Sequence, residues 1–221
     1  MVNNNIVVLG TLSKPPVTKE VDGKPITLVI VGVPNGKGTQ FYECKLFSHA
    51  SDLVGIQPEG VTALISGQMV RETVETASGE QKRWRVHAYQ AVVMPGSEEP
   101  VGFSHCVVIG RLGKDPEVKY SAEGKAYGWS SLAASNGKDE EPTWFDVKAF
   151  GRTAETLNYG AKGRLVAVEG RFVSETYEKD GETRTAWKVI ADTIQFLDSR
   201  KTADAETDES LDSIPEDQIP F

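Results

Sequence analysis

Hydrophobic and polar residues alternate along most of the chain in short runs rich in Val, Ile, Thr and aromatic residues. Successive side chains of a strand point to opposite faces, so a period of two predicts half-buried β-strands rather than helices. Such runs are Ile26 to Val33, Phe41 to Phe47, Val61 to Val70 and Trp84 to Val93, answered by Trp144 to Phe150, Leu165 to Val173 and Trp187 to Phe196. Gly, Asn and Asp turns divide them. Only Ser51 to Gly55 and Thr153 to Tyr159 read as helical turns.

The pattern occurs twice. Val7 to Lys19 (VVLGTLSKPPVTK) matches Val107 to Lys119 (VVIGRLGKDPEVK) at an offset of 100, with Gly10, Leu12, Lys14, Pro16 and Lys19 falling on Gly110, Leu112, Lys114, Pro116 and Lys119. Further on, Phe47 and Phe150, Gly67 and Gly170, and Trp84 and Trp187 pair at an offset of 103, a drift that small loop insertions explain. Between the halves, residues 95–102 hold two prolines, two glycines and two acids, the composition of a short linker. The organisation expected is therefore a first domain over 1–94, a linker over 95–102 and a second domain over 103–198. Five strands with one short helix after the third fit a Greek-key barrel of the OB-fold type, whereas a sandwich needs about seven strands. The fold class is all-β, two tandem five-stranded barrels. From Asp198 onward the chain has no period and no aromatic residue before its last position, so 199–221 reads as a disordered acidic tail.

Length and composition leave this picture intact: 221 residues with 39% hydrophobic and 25% charged residues are ordinary for a soluble globular protein. No apolar run approaches the roughly 18 residues that span a bilayer, and the N-terminus shows no secretory signal. Two cysteines, Cys44 and Cys106, form no disulfide framework or zinc spacing and read as small buried hydrophobes in a reducing cytoplasm. Charge changes more. A net charge of −8 argues against a polyanionic partner, because nucleic-acid binding releases counterions from phosphates by means of protein cations. Resolved by segment, residues 1–98 are neutral, 99–198 carry −3 and 199–221 carry −5. The barrels are nearly balanced, and either can carry a basic face.

Candidate chemistry lies on the third strand of each half. In Trp144 to Phe150, alternation turns Phe145, Val147 and Ala149 inward and leaves Trp144, Asp146, Lys148 and Phe150 together outside. The first half repeats this with Phe41, Glu43, Lys45 and Phe47 outside and Tyr42, Cys44 and Leu46 inside. Aromatic platforms with nearby cations hold single-stranded nucleic acid without reading its sequence, because every base has a π-face. An oligomer interface or packing beneath a loop is the other reading of such rings. Trp84 and Trp187 are in phase with inward residues and read as core; Trp129, in YGWSS, fits either a barrel wall or a binding face. The three histidines do not recur at matched positions, and no nucleophile elbow, phosphate loop, zinc motif or cofactor motif is present. Binding rather than catalysis is expected.

VVIGRLGKDPEVKY, TWFDVKAFGRTAE and GRLVAVEGRFVSETY together resemble the bacterial single-stranded DNA-binding proteins, in the subgroup with two OB-folds per chain. The resemblance covers residues 103–197, more loosely 4–94, and reappears at the C-terminus. It implies single-stranded DNA binding in replication, recombination and repair, a homodimer presenting four barrels, and a cytoplasmic, nucleoid-associated location. By matched motif it places stacking platforms on Trp144, Phe150 and Tyr177, with Phe41, Phe47 and the non-stacking Val74 as first-half equivalents. The cations are Lys148, Arg152 and Lys162 in the second half and Lys45 and Arg71 in the first, joined by the run Lys82-Arg83-Trp84-Arg85. Asp146 and Glu43 stand where the family usually has a basic residue. The second barrel, with three platforms against two, is expected to bind more tightly. At the terminus, Glu216, Asp217, Ile219, Pro220 and Phe221 resemble the family's tip for recruiting partner proteins, and a Phe bearing the terminal carboxylate suits a pocket with a cation beside it. A specialised OB accessory factor, primosomal or RNA-binding, and a non-binding oligomerisation module are the alternatives.

Overall fold

The computed structural model describes residues 3–36, 38–76, 79–96, 101–137, 140–179 and 182–198. The expected tail and its tip lie outside the described residues, as does part of the linker. In the first half the elements are β1 (Asn4–Leu12), β2 (Val17–Val21), β3 (Lys24–Pro34), β4 (Thr39–Phe47), α1 (Ser48–Gly55), β5 (Thr62–Thr76) and β6 (Gly79–Met94). In the second they are β7 (Phe103–Leu112), β8 (Glu117–Tyr120), β9 (Ala126–Ala134), β10 (Thr143–Phe150), α2 (Gly151–Leu157), β11 (Leu165–Lys179) and β12 (Glu182–Phe196). Neither helix is long and apolar enough to cross a membrane.

Among the described residues each half has six strand segments, where five strands are expected. Pro15-Pro16 and Pro116 offer no backbone N–H to a ladder, and the strand run breaks there between β1 and β2 and between β7 and β8. The helices begin earlier than predicted, because their first residues turn through positive φ directly off the preceding strand: Ser48 at 52° and Gly151 at 54°. Ala50 and Val54 of α1, and Ala154 and Leu157 of α2, are buried.

The barrel closes in the order β1–β3–β4–β6–β5–β1, with β4 and β6 parallel and the other pairs antiparallel. The second half repeats this as β7–β9–β10–β12–β11–β7, with β10 and β12 parallel. This is the expected five-strand Greek-key order. The repeated glycines have a steric cause. The long strands β5 and β11 bulge at Gly67 and Gly170, where a Cβ would lie 2.2 Å from the His87 carbonyl oxygen and 2.0 Å from that of Ile190.

The halves are welded together. β1 pairs antiparallel with β7, from Asn4 opposite Val108 to Leu9 opposite Phe103, so one sheet runs through all twelve strands. Gln40 donates Nε2 to Ser174 Oγ at 2.8 Å and accepts the Ser174 backbone N–H at 3.1 Å. The tryptophans cross over. Trp84 of β6 packs on Phe145 and Phe172 of the second half, each at 5.0 Å between centroids, and Trp187 of β12 packs on Tyr42 of the first half at 5.6 Å. Both are half-buried and pack against the core as expected, Trp187 also stacking on Phe172 of its own half at 4.9 Å, and in addition they join the two barrels. Asp198, the last described residue, is anchored: its carboxylate accepts from the Leu165 N–H at 2.9 Å and Arg164 Nε at 3.1 Å, which holds it below the usual carboxylate range.

Candidate nucleic-acid interface

The outward faces of β4 and β10 carry the site. Burial follows the predicted alternation, with Phe145, Val147 and Ala149 inside the second barrel and Tyr42, Cys44 and Leu46 inside the first. Trp144 and Phe41 each keep 51% of their surface open. They face a single groove of about 940 Å³ between the halves. Its walls carry three matched pairs: Phe41 with Trp144, Glu43 with Asp146 and Trp84 with Trp187. Arg71, Lys82, Arg83 and Tyr177 line it too. Six residues expected to bind, Phe41, Arg71, Lys82, Arg83, Trp144 and Tyr177, are thus brought together by contributions from both halves.

The indole of Trp144 rests against Gly113, where a Cβ would lie 2.3 Å from the ring. The absence of a side chain there gives the indole its seat. Further along β10, Lys148 Nζ stands 5.3 Å from the Phe150 centroid. The register sets these two opposite Trp129 and Tyr127 of β9. Trp129 therefore shares the outer face with Lys148 and Phe150 and is not in the barrel wall.

The first-half counterparts differ. Phe47 is half-buried, with the ring of Tyr89 stacked on it at 5.0 Å and His87 against its edge at 5.4 Å. Tyr89, on β6, is the more exposed ring of that pair. Lys45 lies 5.7 Å from the Phe47 centroid, but its Nζ is paired with Glu72 at 3.0 Å. Arg152 on α2 and Lys162 beyond it are exposed and do not line the groove; the Lys162 backbone N–H is bonded to Asp115.

The acids on this face are largely matched by cations. Glu43 meets Arg83 at 3.3 Å and Arg85 at 3.1 Å. Glu72 meets Lys45 and Arg85 at 3.0 Å each and His87 Nε2 at 2.7 Å. Burial pushes the Glu72 carboxyl up, but the hydrogen bonds from Lys45 and Arg85 and the neighbouring positive charge outweigh it and hold the group low. Burial also keeps His87 below its usual value. The unfavourable sign of Glu43 at this position is thus cancelled by arginines of β6, 40 and 42 residues away in sequence.

Residues 103–197 match the family model described as the single-strand binding protein family. A single-stranded DNA-binding protein of Thermotoga maritima is 35% identical over 139 residues, spanning 54% of this chain and 98% of the relative. The chain belongs to the single-strand binding protein family. One of Fusobacterium nucleatum is 36% identical over 112 residues, 47% of this chain and 72% of the relative. Among solved structures, the wild-type single-stranded DNA binding protein of Thermus aquaticus superposes with a TM-score of 0.69 over 92% of this chain and 96% of its own, at 20% identity. The Thermotoga relative is thus matched almost whole by about half of this chain, whereas the Thermus fold spans both halves.

Sequence reasoning missed Tyr127, Gly113 and Tyr89. Tyr127 was discoverable, because it stands in phase with Trp129 two residues on. The roles of Gly113 and Tyr89 carry no local signal, since each depends on a ring from another strand.

Proposed function

We propose that this chain binds single-stranded DNA without sequence preference and protects it during replication, recombination and repair. The observation that carries this reading is the groove in which Phe41, Trp144 and Tyr177 stand open beside Arg71, Lys82 and Arg83. Rings provide platforms for bases of any identity, at roughly 1 to 3 kcal/mol each, and the cations follow the backbone. The names of the relatives support the same reading. The binding unit comprises barrels over 1–94 and 103–198 joined by 95–102, and Phe150, Lys148, Arg152 and Lys162 extend the contact from the second barrel. Phe47 and Lys45 contribute less, being covered by Tyr89 and tied to Glu72, which favours the second barrel as the tighter binder. The chain acts by binding rather than by catalysis, as a homodimer, and recruits partner proteins through Glu216, Asp217, Ile219, Pro220 and Phe221.

Three of the four tryptophans, Trp84, Trp144 and Trp187, line the groove, so intrinsic fluorescence reports its occupancy. Single-stranded DNA should quench it strongly, and duplex DNA and RNA weakly, with a modest salt dependence. Trp144→Ala should weaken binding more than Phe41→Ala. Equal losses refute the asymmetry between the barrels, and absence of quenching refutes the function.

A further inference from the structure

The central groove carries acids as well as cations: Glu43 and Asp146 stand on its walls with Arg71, Lys82 and Arg83. A strand that lays phosphates along these walls meets two carboxylates of its own sign, and the two are not equivalent. Glu43 clasps two arginines of β6, with Oε1 3.3 Å from Arg83 and Oε2 3.1 Å from Arg85. Arg85 reaches on to Glu72. Asp146 pairs with no cation among the described residues; the register sets Lys188 opposite it, but the Lys188 ammonium is paired with Glu175.

The repeat turns this difference into a comparison within one chain. At the offset of 103, Glu43 falls on Asp146, Glu72 on Glu175, Arg85 on Lys188 and Arg83 on Ala186. The second half therefore has the acid without the arginine, whereas the first half has both and each holds the other. The Glu43 side chain is 37% exposed and that of Arg83 43%, so the pair lies open to the groove, where an ion pair adds little to stability. The planar fork of an arginine receives carboxylate and phosphate oxygens alike. A carboxylate seated on Arg83 thus takes the place a phosphate would need.

We infer that Glu43 is an internal competitor for DNA phosphates, which occupies Arg83 and shares Arg85 until a strand displaces it. This rests on the function proposed above. A phosphate that reaches Arg83 exchanges one anion for another: an ion pair is lost as the contact is gained, and few counterions are released. The first-half wall thereby holds a polyanion weakly, and stacking on the rings decides whether a strand stays.

The test uses the full chain and the fluorescence anisotropy of an oligothymidylate of about 30 nucleotides, titrated across a salt series. Glu43→Gln keeps the shape and one acceptor oxygen but removes the charge. It should bind about 3- to 30-fold more tightly at low salt, with a slope of log affinity against log salt steeper by about 0.7, the share of one released arginine. Asp146→Asn removes the same charge from the other half's wall and releases no arginine, so its slope should equal that of wild type. In an Arg83→Gln background, Glu43→Gln should lose most of its effect. Thermal midpoints of these variants should stay near that of wild type, because the pair is exposed. An unchanged slope in Glu43→Gln overturns the competitor, as does an equal gain in Asp146→Asn or a gain that persists without Arg83. Trp144→Ala, measured in parallel, separates the two readings: if it weakens binding while Glu43→Gln changes nothing, the competitor fails and the groove stands; if Trp144→Ala has no effect, the function proposed above fails.

Discussion

Tyr42→Phe removes one oxygen atom from the junction between the halves. The Tyr42 ring is 2% exposed and packs on Trp187, and its hydroxyl lies 2.6 Å from the Phe172 carbonyl oxygen and 2.7 Å from Ser104 Oγ. A phenol has one proton and a carbonyl can only accept, so Tyr42 donates to Phe172 and Ser104 donates to Tyr42. Phenylalanine keeps the ring and its packing but leaves the Phe172 carbonyl and the Ser104 hydroxyl without these partners. Stranding such groups costs about 1 to 3 kcal/mol. For a chain of this size that corresponds to a fall of about 2 to 12 °C in the thermal midpoint, read by circular dichroism or calorimetry. Burial raises the phenol from its ordinary value of 10 to about 12. A raised value means the folded state holds its proton longer than the unfolded state, so this stability is complete below pH 10 and is lost as pH rises toward 12. The variant should therefore lose less stability over that interval than wild type. A midpoint equal to that of wild type at neutral pH, or an unchanged alkaline slope, refutes the assignment of this hydroxyl as a tie between the halves.

Gly113→Ala should force the Trp144 indole from its seat and weaken single-stranded DNA binding about 3- to 30-fold, a fraction of one stacked base, with the thermal midpoint nearly unchanged; wild-type affinity would show that the seat does not position the ring. His87, held below its ordinary 6.5, resists protonation in the fold, so its contribution is complete above pH 6.5 and is lost as pH falls through its folded value. Glu72, held below 4.5, adds a second loss beneath pH 4.5. Thermal midpoints measured from pH 8 to pH 3 should show both steps, and His87→Gln should remove only the first. Deletion of Ile219 to Phe221 should leave DNA affinity intact and abolish capture of a purified partner enzyme; a large loss of DNA affinity would contradict a purely protein-directed tip.

The faces of β4 and β10 were legible in the sequence because alternation is local: Trp144 and Phe150 are outward for the same reason that Phe145 and Val147 are inward. The repeat located the second barrel from the first, and the paired glycines marked the bulges that both need. The ring stacked on Phe47 was not legible, because Tyr89 is 42 positions away and has Asp192 as its second-half counterpart. Glu43 read as an obstacle to DNA until Arg83 and Arg85 were seen beside it.

By itself the sequence determined the strand faces, the twofold repeat, the aromatic and cationic composition of the outer face and the segregation of negative charge into the last 23 residues. These follow from patterns that neighbouring residues set between them. The tertiary structure decided that the two barrels present one groove instead of two separate faces. That outcome depends on β1 pairing with β7, on Tyr42 bonding to Phe172, and on Trp84 and Trp187 each packing across the junction. Each of these contacts joins residues about 100 or more positions apart or residues from opposite halves. No periodicity within a strand encodes such pairings, because they are fixed only when two folded surfaces meet.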